Sequence, residues 1–200
     1  KKSVNNIMTA LYAFVVISFF ITIVDIIIRF PLQSEMIDYN DIQAIVINVL
    51  ALLIQIVFFA YGFVNAIRGM LSPKRMGAVI VAFFAATCIT GTGNMVINSN
   101  VQIVLWWIVL IIPNIVGAVA TFAYFVSGKK SKIYSIIIYL AAIWGMFRII
   151  YSNYNLIVHA NQYLSMNSTV RLVLGIAIHC LVIYQTYVLW IKRQNAIDIS

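Results

Sequence analysis

The run IMTALYAFVVISFFITIVDIIIRF, Ile7 to Phe30, decides the class of protein to which this chain belongs. It is long enough to cross a bilayer core of about 30 Å as a helix rising about 1.5 Å per residue. Yet Asp25 and Arg29 sit inside it. Each charge is expensive in hydrocarbon and calls for a partner. Asp25 and Arg29 stand four residues apart, so one helical face carries both and they can pair. Arg29 can also extend toward the nearer interface, whereas Asp25 lies deeper.

The rest of the chain repeats this pattern. It has 200 residues, of which 64% are hydrophobic and 9% charged. A soluble domain carries about 25% charged residues, so this surface calls for lipid as solvent. Apolar runs predict six spans, over 7–30, 42–67, 76–93, 101–126, 133–151 and 170–191. The expected fold is therefore all-α, a single six-helix transmembrane bundle over 1–200. Pro31 is expected to end the first helix. No small-residue cleavage site follows that run, so it is expected to remain as a span.

Net charge is +8. The cations fall in short clusters between spans rather than along one aromatic-studded face, which argues against nucleic acid as partner. They mark sidedness instead. Lys1 and Lys2, then Arg68, Lys74 and Arg75, then Lys129, Lys130 and Lys132, then Lys192 and Arg193 occupy alternate connections and both termini. Glu35, Asp38 and Asp41 lie in a connection of the opposite set. The positive-inside rule then predicts a multi-pass cell-membrane protein with both termini cytoplasmic. The longest outer connection, SNYNLIVHANQYLSMNST, offers a short interfacial helix over 156–164 and a glycosylation triplet at Asn167-Ser168-Thr169.

Polar residues inside spans are the candidate functional groups. Ser18, Thr22, Asp25 and Arg29 form one stripe, and Asn48 and Gln55 another. Trp107, Asn114 and Thr121 form a third, in which Pro113-Asn114 breaks the helix at mid-span. Gly175, His179 and Thr186 share a side of the sixth helix, where Gly175 permits close approach of a neighbour. Arg148 of the fifth helix lies about as deep as Asp25, so an Asp25–Arg148 bridge is an alternative to Asp25–Arg29. Together Asp25, Gln55, Asn114, Arg148 and His179 are the expected lining of an outward-open pocket.

Catalytic patterns are missing. There is no GxSxG, no HExxH and no pair of intramembrane Asp residues. His179 and Cys180 are adjacent and point about 100° apart on a helix, so they cannot form a nucleophile–base couple. Cys88 and Cys180 lie in separate runs, and no Cys/His cluster suggests a metal or other cofactor. The expectation is that the protein is not an enzyme.

The plan resembles that of the solute-binding membrane subunits of energy-coupling-factor importers, which are six-helix proteins of similar length. That resemblance implies a partner ATPase complex. The AxxxA packing pattern of those subunits is absent from the first run, where Ala10 and Ala13 stand three apart. Ala82 and Ala86 in the third run have the right spacing. The six-span permeases of ATP-driven exporters carry an amphipathic helix before the first span, and KKSVNN is too short for one. The expected function is a transport subunit, either solute-binding or permease, working with an ATPase complex or another membrane subunit. The alternative is a membrane interaction protein that transports nothing, in an immunity, accessory or sensor role.

Overall fold

The computed structural model describes residues 2–33, 39–97, 105, 107–153 and 166–197. All the regular structure among them is helical. In chain order the helices are α1 (Lys2–Gln33), α2 (Tyr39–Ile67), α3 (Pro73–Ile97), α4, α5 (Lys132–Ser152) and α6 (Met166–Ile197). α4 is composite, with π-helical turns at Trp107–Ile111 and Phe122–Val126 flanking the α-helical Ile112–Thr121. Six segments, one in each helix, are long and apolar enough to cross a membrane. By length and composition they are consistent with a multi-pass membrane bundle.

The helices overrun the apolar segments. α1 continues through Pro31 to Gln33 rather than stopping at the proline. Near a helix end, proline forfeits one backbone bond in a turn where carbonyls already lack partners. α6 begins at Met166, so the Asn167–Thr169 triplet lies in its first turn. The interfacial helix expected over 156–164 lies outside the described residues.

Two helical hairpins owe their turns to local chemistry. α2 ends with Gly69 at φ 65°. Gly69 N–H donates to Ala66 O and Met70 N–H to Asn65 O, at 3.0 and 2.9 Å. This is the Schellman closure, in which a left-handed glycine satisfies the last carbonyls. Ser72 then caps α3, its Oγ accepting from Arg75 N–H at 3.3 Å, with Pro73 as the first helical residue. The turn after α4 follows the same logic, with Gly128 at φ 70° and Ser131 capping α5.

Each helix packs against its chain neighbours, and α6 closes back on α1, giving a ring of six. α3 also meets α6 across the middle. The centre is filled by large side chains. Tyr12, Phe59, Phe84 and Ile138 are wholly buried, and Phe19, Ile80, Tyr124, Phe125 and Leu181 nearly so. Glycine admits such bulk: Tyr12 of α1 lies in the space above Gly62 of α2, where a Cβ would strike the ring. The outward faces are apolar, as lipid requires, with Phe14, Phe20, Val57, Val119 and Leu140 exposed. On α5 an exposed stack of Trp144, Phe147 and Tyr151 runs toward the end of the span, with centroids 5.9 and 6.2 Å apart.

Candidate functional site

Of the residues expected to line a pocket, Arg148 and His179 lie on α5 and α6, which pack together, and Asn114 lies on α4, which packs on α5. α5 and α6 interlock through their glycines. A Cβ on Gly145 would strike the His179 ring, and one on Gly175 would lie 2.8 Å from Ile149 Cδ1. The expectation that Gly175 permits close approach is thus met, with Ile149 as the neighbour. The register places Arg148 one turn from Gly145, on the side away from the basic turns. Arg148 is half-buried.

His179 is buried. Its Nδ1 lies 2.7 Å from Gly175 O. A carbonyl can only accept, so Nδ1 carries the proton and Nε2 of a neutral ring carries a lone pair. Nε2 faces Gly145. The ring also meets Phe83 of α3 edge-on, with centroids 5.0 Å apart at 89°. Two helices therefore enclose the side chain, and its own helix fixes its tautomer.

Asn114 is buried in α4 and donates from Nδ2 to Leu110 O at 2.6 Å. The proline before it has no N–H for the carbonyl one turn earlier, that of Val109. Trp144 of α5 supplies the missing donor, its Nε1 lying 2.7 Å from Val109 O. Cys88 Sγ of α3 lies 3.9 Å from Ile111 O. The three carbonyls around the break, on Val109, Leu110 and Ile111, thus each receive a side-chain donor. Indole and thiol come from the neighbouring helices. The Pro113 break is closed by packing.

The remaining stripes behave alike. Ser18 and Thr22 are buried and donate to Phe14 O and Ser18 O at 2.8 and 2.9 Å. Thr121 and Thr186 donate to Gly117 O and Val182 O at 2.7 and 2.8 Å. Each hydroxyl bonds the carbonyl four residues back in its own helix, a common way for polar side chains to be satisfied in lipid. Gln55 is half-buried on α2, and Asn48 is exposed. The side chains of Asp25, Arg29 and Trp107 lie outside the described residues. Among the described residues, no cluster of His, Cys, Asp and Glu could hold a metal ion.

A second polar group sits toward the basic turns, where the helical wheels placed nothing. Gln185 Nε2 of α6 donates to Tyr12 Oη of α1, and both side chains are buried. Arg193 donates to Tyr124 O and Lys129 O at 2.7 and 2.9 Å, with its guanidinium 4.1 Å from the Tyr124 ring centroid. It thereby ties the C-terminal carbonyls of α4 to α6. In the sequence Tyr12 and Tyr124 look like ordinary apolar filling, and Arg193 looks like a marker of sidedness. Gln185 stands beside Thr186 in the sixth run, and that adjacency is the one signal the sequence offers for it.

No family model, curated protein or solved structure matches the chain.

Proposed function

We propose that the chain is a subunit of a membrane transport system, with both termini cytoplasmic, that holds a small anionic solute at the end away from the basic turns. It works with a partner ATPase complex or another membrane subunit. The observation that supports this reading is Arg148. It is a half-buried cation within a span. Intramembrane ionisable residues commonly mark solute paths. His179 packs on Gly145, one turn before it on α5, and the Asn114 break lies on the adjoining helix. On the basic side the bundle is filled by Tyr12, Phe59, Phe125 and Leu181. Such filling fits a binding subunit whose release step belongs to a partner.

A second reading is a membrane interaction protein that transports nothing. It is favoured by the buried hydroxyls and Asn114, each of which bonds its own helix and needs no solute. Native mass spectrometry of the gently extracted protein separates the two. Under the first reading a small molecule or an ATPase complex comes off with the chain. Arg148→Gln then abolishes solute retention while the thermal midpoint stays close to wild type. A chain bound only to another membrane protein, with retention unchanged in Arg148→Gln, supports the second.

A further inference from the structure

A groove of about 600 Å³ runs along the outward face of α6. Its floor is α6 from Cys180 to Trp190, and its walls are Leu11 of α1 and Tyr139 of α5. Three features define its occupant. The first is length: Cys180 to Trp190 spans about 15 Å at 1.5 Å per residue, half the hydrocarbon core and so one leaflet. The second is position. Trp190 lies near the Gln194 end of the span, so the groove opens at the basic end and stops near mid-membrane. The third is charge. Lys132 stands two turns from Tyr139 on the same face of α5, toward the basic end. Lys130, Lys132 and Lys192 are exposed at this end.

We infer that the groove holds one acyl chain of an anionic phospholipid from the leaflet on the basic side, with its phosphate at Lys132. A transmembrane partner helix would need a groove running the full core, lined by small residues for close approach. This one covers a single leaflet and is walled by Tyr139, Tyr187 and Trp190. A flexible chain follows such a wall, and Tyr and Trp suit the boundary between chain and headgroup. Basic mouths between spans are sites where anionic headgroups gather. The site is independent of Arg148 and of any transport role.

The test reconstitutes the full chain in nanodiscs of equal phosphatidylglycerol and phosphatidylethanolamine with matched chains, then reads retained lipid by native mass spectrometry. One phosphatidylglycerol per chain is expected in preference to phosphatidylethanolamine. Lys132→Gln should lower that preference about fivefold, as expected for one basic group near a lipid surface. Cys180→Phe fills the inner end of the groove from an exposed position, and should release both lipids without moving the thermal midpoint. Equal retention of the two lipids, or retention unchanged in both variants, overturns the inference. So does a dimer of the chain that Cys180→Phe disrupts, because the groove would then be a protein interface.

Discussion

The Pro113 break offers the sharpest test of how this bundle is held together. Trp144→Phe keeps an aromatic ring on α5 but removes the indole N–H that reaches Val109 O at 2.7 Å. The proline has no N–H to offer that carbonyl from four residues on. An unsatisfied buried acceptor costs about 1–3 kcal/mol. Loss of part of the ring adds a fraction of a kcal/mol, so a total near 2 kcal/mol is expected. Pro113→Ala restores a backbone N–H one turn after Val109. In that background Trp144→Phe should cost only the packing part, below about 1 kcal/mol. The coupling between the two sites is then about 1–1.5 kcal/mol. It can be measured by reversible unfolding in mixed micelles with increasing sodium dodecyl sulfate, followed by circular dichroism. If Trp144→Phe costs the same with and without Pro113, the orphan carbonyl is not what the indole stabilises.

Three further perturbations follow from the geometry. Gly145→Ala places a methyl against the His179 ring and should cost about 1–3 kcal/mol through overpacking. His179→Ala should relieve most of that cost in the same unfolding assay, and additive losses would refute the contact. Tyr12→Phe removes the partner of Gln185 and should destabilise by about 1–2 kcal/mol, whereas Tyr12→Phe with Gln185→Met should return close to wild type. Gly69→Ala forces a side chain into a left-handed backbone and should cost about 1 kcal/mol. Hydrogen exchange should show the loss as faster opening of the α2–α3 turn, with α5 and α6 unaffected.

Much of the candidate site is legible in the sequence. Asn114, Arg148 and His179 stand out because polar groups in apolar runs are conspicuous, and the fold places them on adjoining helices. Their partners are not legible. A helical wheel shows which residues share a face, but not which neighbour that face meets. Pro113 announces a break, yet nothing near it in the chain reveals that Trp144 closes it. The Tyr12–Gln185 bond joins residues 173 positions apart, and a tyrosine in an apolar run gives no warning that its hydroxyl is used.

By itself, then, the sequence determined six membrane-length helices and their tight turns. Hydrocarbon thickness sets the length of an apolar run whatever its neighbours are. Gly69, Ser72, Pro73 and Ser131 act within a few bonds of their own positions. Tertiary structure alone decided what the polar groups do. Register between helices is set by large side chains locking over small ones, Tyr12 on Gly62 and His179 on Gly145. Only that register brings an indole to a carbonyl beside the proline break and an arginine to the end of another helix.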